Sequence, residues 1–147
     1  MHNKTIRLRP HHFLCMLTYI GKGYSKAFIE NFSMLTETIN QNKITALVVE
    51  GPDDICAPRL CDPCDTSCHC LDDRHETIDL LALADLRKIE TLEKIEFDQE
   101  VDLSTKLIST LRHHFKEGKI RSACTQCEWV DLCSEIAKNN FEDTKLK

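Results

Sequence analysis

The chain is poor in glycine and proline, the residues that build long flexible linkers. Each occurs four times among 147 residues, and no internal repeat or low-complexity tract interrupts the sequence. Hydrophobic residues make up 41% of the chain and charged residues 29%, which are ordinary proportions for a globular protein. We therefore expect residues 1–147 to form a single domain with its own hydrophobic core.

The chain also lacks an excess of positive charge and any long apolar run. Its formal net charge of -5 gives no electrostatic reason to expect a nucleic-acid partner. No stretch approaches the roughly 18 apolar residues of a membrane span. Three basic residues precede the apolar segment Phe13–Ile20, but this segment is too short for a secretory leader and no small-residue cleavage site follows. We expect a cytoplasmic protein without a membrane partner.

Cysteine, in contrast, is abundant: the chain has nine. In a reducing cytosol, clustered cysteines are metal ligands more often than disulfide partners. A complete disulfide framework would also leave one thiol over, because the count is odd. The cysteines therefore predict metal binding.

Three of these cysteines close the chain as Cys124-x2-Cys127-x5-Cys133. A Cys-x2-Cys pair presents two thiolates from one turn, and the third follows at the start of a predicted helix. Thiolates at this spacing suit zinc or an iron–sulfur cluster, and both sites normally take four ligands. We expect the fourth ligand to come from far upstream. The spacing also resembles the terminal cysteine run of iron–sulfur nucleases, where a distant cysteine completes a four-iron cluster, but no nuclease motif accompanies it here.

Five more cysteines lie in the segment Gly51–Leu71, which has no helical or strand periodicity. They are Cys56, Cys61, Cys64, Cys68 and Cys70. The first three match the plant-type ferredoxin spacing, but the predicted strand content is too low for such a fold. Metal ligation by three or four of the five would order a segment that cannot bury an apolar face.

The remaining cysteine, Cys15, follows His11 by four residues. Positions four apart share one face of a helix, so His11 and Cys15 can ligate one metal together. The same spacing fits a core cysteine and a helix-start histidine that only pack, and both interpretations stay open.

The rest of the chain shows mainly helical periodicity. It predicts helices opening at Arg9–His12, running from Ser25 to about Asn42, from about Asp73 to Lys94 with a break that the pattern does not place, from Ser104 to Gly118, and from Asp131 to about Asn139. Ile44–Val49 is short and rich in β-branched residues, which predicts a strand. The expected fold class is mainly α, or α+β with one or two short strands: a compact helical domain with a cysteine-rich metal-binding loop.

Four short motifs occur together over nearly the whole chain. They are Arg7-x-Arg9-Pro10-His11-His12-x2-Cys15, Ile20-Gly21-Lys22-Gly23-Tyr24-Ser25, Asp53-Asp54-Ile55-Cys56-Ala57-Pro58 and Cys124-x2-Cys127-Glu128-Trp129-x3-Cys133. In this combination the chain resembles the domain-of-unknown-function family numbered 1284, small bacterial and archaeal proteins described as iron–sulfur binders. The resemblance implies a cytoplasmic location and no particular reaction. It implies metal-bound cysteines at Cys15, Cys56, Cys70, Cys124, Cys127 and Cys133, with one further ligand among Cys61, Cys64 and Cys68.

The sequence thus predicts an iron–sulfur protein with a [4Fe-4S] cluster, acting in electron transfer or redox sensing with a redox partner protein. The expected ligands are Cys124, Cys127 and Cys133 with one of Cys15, Cys56 or Cys70. A second site is expected from the remaining cysteines, with His11. One alternative is a structural zinc module with the same ligands. A small metal-dependent enzyme is the other, although no nucleophile–base pair, phosphate loop or HExxH motif is present.

Overall fold

A three-stranded sheet and five α-helices make up the computed structural model, which describes residues 4–21, 26–41, 44–50, 53–55, 73–121, 130–142 and 144–146. The strands are β1 (Lys4–Leu8), β2 (Ile44–Val48) and β3 (Glu100–Asp102). They lie in the order β1-β2-β3, with β1 parallel to β2 and β3 antiparallel to β2. No helix within the described part of the chain has the length and apolar character needed to cross a membrane.

Alternating burial explains the two longer strands. In β1, Ile6 and Leu8 are buried while Thr5 and Arg7 are exposed. The register pairs Ile6 with Ala46 and Leu8 with Val48, and both partners in β2 are fully buried. Since side chains alternate between the faces of a strand, these four residues place one apolar face of the sheet in the core.

Helix α1 is almost entirely buried, and two of the other four helices pack against it. Their bounds are α1 His12–Thr18, α2 Lys26–Gln41, α3 Asp73–Leu86, α4 Thr105–Lys116 and α5 Val130–Lys138. Helix α1 contacts both α4 and α5, and these two also contact each other. Six of the seven residues of α1 are buried, so this short helix owes its stability to tertiary packing rather than to its length.

Helix α4 begins and ends where its sequence predicts. The Ser104 side chain caps it by accepting a hydrogen bond from the Leu107 amide at 3.1 Å, which satisfies one of the unpaired donors of the first turn. After the helix, Gly118 takes a φ of +78°, a conformation that glycine adopts without strain.

The helix predicted from Asp73 to Lys94 is shorter than expected. It ends at Leu86, and the chain continues through a turn into a 3-10 helix at Glu90–Leu92. Leu86, Ile89, Leu92 and Ile95 are all buried. This three-residue spacing suits the tighter 3-10 geometry, so an apolar pattern that imitates an α-helix continues after the helix has ended.

The prediction of one or two strands was also incomplete, because the described residues contain three. The residues of strand β1 alternate between buried apolar and exposed polar side chains, as is usual for a strand with one face in the core. Strand β3 is a three-residue edge strand with only Val101 partly buried. The first helix starts at His12, within its predicted opening, and ends at Thr18 because Tyr19 is extended. The predicted cysteine-rich loop lies outside the described residues, apart from residues 53–55.

Replacing Leu111 by alanine should lower the free energy of unfolding by about 2–5 kcal/mol, because the change removes apolar contacts and leaves a cavity. Leu111 is fully buried in α4, whereas Leu80 on α3 is 58% exposed. Leu80→Ala is therefore the control and should change the stability by less than about 0.5 kcal/mol. Urea denaturation followed by circular dichroism measures both. Equal losses in the two variants would contradict the packing of α4 in the core.

Candidate metal centre

The parallel pairing of β1 and β2 brings two polar segments to the same edge of the sheet. Residues 9–12 leave the carboxyl end of β1, and residues 53–55 follow β2 after a gap of four residues. The Arg9 amide donates a hydrogen bond to the Asp53 carboxylate at 2.8 Å, and the Asp54 amide donates to the Arg7 carbonyl at 3.2 Å. Carboxyl ends of parallel strands are common positions for binding sites in open sheets.

A buried carboxylate from α3 holds the start of α1. Asp79 accepts hydrogen bonds from Arg9 Nε at 2.7 Å, from the His11 amide at 3.1 Å and from His11 Nδ1 at 2.6 Å. The side chains of Arg9 and Asp79 are only 1% and 3% exposed. Because a carboxylate can only accept, His11 carries its proton on Nδ1.

His12 is held in the same way by Asp53. Its Nδ1 lies 2.7 Å from Asp53 Oδ2, and the Asp53 side chain is fully buried. The other Asp53 oxygen accepts from the Ile55 amide at 3.0 Å. The two carboxylates thus fix the orientation of both imidazoles and place each Nε2 on the side of the ring away from its carboxylate.

His11, His12 and Cys15 form a cluster of three metal-ligand side chains. One donor atom from each lies within 4.8 Å of the others, and the two imidazole centroids are 4.3 Å apart. His11 directly precedes α1, and His12 and Cys15 lie in the first turn of this helix. The structure therefore brings together the predicted pair of His11 and Cys15, and it adds His12.

Two opposing effects act on the ionisation of His11 and Asp79. Burial, together with the adjacent His12, lowers the pKa of His11 to about 4, although Asp79 acts in the opposite direction. Burial alone would raise the pKa of Asp79, but the hydrogen bond with His11 and the charge of Arg9 bring it below its ordinary value. The expected state near pH 7 is a neutral imidazole beside a carboxylate, and neutral imidazole is the form that binds metals.

Cys133 is the one member of the C-terminal cysteine set within the described residues. It lies in α5 and contacts α1, where the Thr18 hydroxyl is 3.2 Å from its Sγ. The same hydroxyl is 3.4 Å from the carbonyl of Cys15, one helical turn earlier. The side chains of both cysteines are half-buried. Cys133 is thus held next to α1, and its role as a metal ligand stays a prediction.

The other predicted ligands lie outside the described residues. They are Cys56, Cys61, Cys64, Cys70, Cys124 and Cys127. Their role in metal binding stays a prediction.

The sequence analysis missed three residues that build this cluster: His12, Asp53 and Asp79. His12 carries a detectable signal, because it follows His11 in a sequence that already contains a predicted ligand. Asp79 carries none, since local apolar patterning favours burial of its leucine neighbours over burial of an acidic residue. In the structure Leu80 and Leu81 are 58% and 42% exposed, whereas Asp79 is 2% exposed.

The chain belongs to the family described as Protein of unknown function (DUF1284), whose model matches residues 23–133. The match includes Cys133 but begins after the cluster of His11, His12 and Cys15. Comparisons with curated proteins and with solved structures find no match.

Replacing Asp79 by asparagine should destabilise the protein by about 3–5 kcal/mol, because it removes the carboxylate charge beside the buried Arg9 guanidinium. Denaturant unfolding of the purified variant measures this loss.

Asp54→Asn is the matched control. Asp54 pairs with Arg7 at 3.2 Å, but these side chains are 34% and 57% exposed, so the loss should stay below about 1 kcal/mol. If both variants lose the same free energy of unfolding, the buried pair of Arg9 and Asp79 stabilises the protein no more than the exposed pair does.

Proposed function

We propose that this protein binds a [4Fe-4S] cluster through Cys124, Cys127, Cys133 and one upstream thiolate, and that it acts in electron transfer or redox sensing. The supporting observation is the contact between Cys133 and Thr18, which are 115 positions apart in sequence. It brings Cys133, the last cysteine of the C-terminal set, to helix α1, where an upstream cysteine, Cys15, also lies.

The fourth ligand is proposed to be Cys15, Cys56 or Cys70. Cys15 is one turn before Thr18 on α1. Cys56 directly follows Ile55 in sequence, and the Ile55 amide donates to Asp53, which also holds His12 at the start of α1. A thiolate from this half of the chain would complete the three-ligand C-terminal set.

An iron–sulfur cluster supplies reversible one-electron transfer, and the protein sets its potential through burial and hydrogen bonds to sulfur. Here the Thr18 hydroxyl is positioned to donate to Cys133 Sγ, since a ligating thiolate can only accept. The apolar side of α5 next to Cys133 includes the buried residues Ile136 and Ala137. These residues shield this side of the helix from water. The function also requires a redox partner protein.

Zinc binding is the second candidate, and the donor atoms of His11, His12 and Cys15 favour it. Imidazole nitrogen and thiolate sulfur are the ligands that zinc prefers. A zinc centre would stabilise the fold without redox chemistry, or would support a small metal-dependent enzyme if one coordination position stays open.

Anaerobic purification followed by iron, sulfide and zinc analysis tests the cluster. The protein should be brown and should bleach with dithionite, because a reducible iron–sulfur centre absorbs visible light. Cys133→Ser should lose iron and sulfide together. Cys68→Ser is the control, since Cys68 is not among the thiolates proposed for this cluster, and it should keep both. A colourless wild-type protein with stoichiometric zinc after growth in ample iron would contradict the proposal.

Replacing Thr18 by valine should lower the reduction potential without changing iron content. The change keeps the shape of the side chain but removes the hydroxyl near Cys133 Sγ, and hydrogen bonds to cluster sulfur favour the reduced state by stabilising its added negative charge. Potentiometric titration of the two proteins measures the shift. Thr38→Val is the control, because the Thr38 hydroxyl bonds to the Met34 carbonyl on α2. Equal potentials in all three proteins would show that Thr18 does not contact a cluster ligand.

A further inference from the structure

We propose that His11, His12 and Cys15 bind a single divalent transition-metal ion, zinc(II) or iron(II), at a site separate from the iron–sulfur cluster. These are the three ligands that the described residues supply. The proposal uses only described side chains and does not depend on the cluster. If it holds, Cys15 is not the upstream cluster ligand, and Cys56 or Cys70 takes that role.

The spacing of the donor atoms fits one ion. Three atoms that all lie within 4.8 Å of one another have a central point no more than about 2.8 Å from each. Zinc–nitrogen and zinc–sulfur bonds measure about 2.0–2.3 Å. Each donor therefore needs to move by less than about 1 Å to reach bonding distance, which small side-chain rotations provide.

The carboxylates behind the imidazoles are the usual partners of metal-bound histidine. Asp79 and Asp53 accept from the Nδ1 atoms of His11 and His12 at 2.6 and 2.7 Å, and this leaves Nε2 as the coordinating nitrogen. Each carboxylate is also fixed by main-chain amides, those of His11 for Asp79 and of Ile55 for Asp53. Such outer partners set the tautomer and the orientation of the ring and increase its basicity.

The charge around the cluster also suits a dication. With Cys15 as a thiolate, the donor set and its carboxylate partners include three negative groups, namely Cys15, Asp53 and Asp79, and among the described residues the Arg9 guanidinium pairs with Asp79. A divalent ion neutralises the remainder in a region where burial makes uncompensated charge costly.

Partial exposure leaves a route to the ion. The side chains of His11 and His12 are 12% and 11% exposed, and Cys15 is half-buried. Sites with three protein ligands and one exchangeable position are typical of zinc that binds or activates a small molecule, whereas structural zinc has four protein ligands. The described residues supply three ligands here, so the source of the fourth ligand, water or a protein side chain, decides between these two kinds of site.

Metal titration of the full-length, metal-depleted protein tests the site. Cobalt(II) serves as the probe because its bond to a thiolate gives a charge-transfer band. The wild type should bind cobalt with this band, and zinc and iron(II) should compete for it. His12→Gln should bind one cobalt equivalent fewer, while its iron and sulfide content as anaerobically purified stays at the wild-type level. His113→Gln is the matched control, because His113 is an exposed histidine that pairs with Glu117 on α4, and it should behave as wild type.

Two results would overturn the proposal. Unchanged cobalt stoichiometry in His12→Gln would exclude His12 as a ligand. Loss of iron and sulfide together in this variant would assign His12 to the cluster instead. Absence of any cluster in the wild type would contradict the proposed function and would leave the ion site unaffected.

A second variant and a second measurement cover the case in which His12→Gln does not fold. Asp53→Asn keeps all three ligands and should weaken cobalt binding about 10- to 100-fold, the usual cost of losing an outer-shell partner. X-ray absorption of wild-type protein loaded with one equivalent of zinc should show two imidazole nitrogens and one sulfur. Coordination by sulfur alone would overturn the proposal without any variant.

Discussion

The ion pair between Arg9 and Asp79 joins three parts of the chain at one buried point. Arg9 follows β1, Asp79 lies in the middle of α3, and the same carboxylate holds the backbone and side chain of His11. A buried guanidinium requires a fixed partner, because an uncompensated charge in the interior costs several kcal/mol. The position of α3 relative to the sheet and the start of α1 are therefore set by the same interaction. The orientation of the His11 ring depends on it as well.

The parallel pairing of β1 and β2 provides the frame for this interaction. The chain leaves both strands at one edge of the sheet, so Arg9 and Asp53 meet there through a 2.8 Å hydrogen bond. Asp53 then holds His12, as Asp79 holds His11. Two acidic side chains from distant positions thus present two neighbouring imidazoles beside Cys15, and the site has more ordered support than a pair of loop histidines would have.

The contact of α5 with α1 brings Cys133 next to the helix that carries His12 and Cys15. Cys133 reaches Thr18, so the proposed cluster lies next to the helix that carries the proposed ion site. Helix α1 is a fixed support for the ion site, because its buried side chains hold it against α4 and α5.

Local pattern in the sequence determined much of this protein. The apolar spacing predicted α2 and most of α4 and α5, and the β-branched run predicted β2. The four-residue interval from His11 to Cys15 predicted that these two residues share one face of a helix. These features depend on neighbours in sequence, and periodicity records them directly. Only the tertiary structure decided the rest. Strand β3 is formed by pairing with β2, α3 buries Asp79 and exposes Leu81, and His12 becomes part of the cluster because Asp53 holds its ring. Each of these depends on a partner from 41 to 70 positions away or on a surface formed by several elements, and no local pattern encodes such a partner.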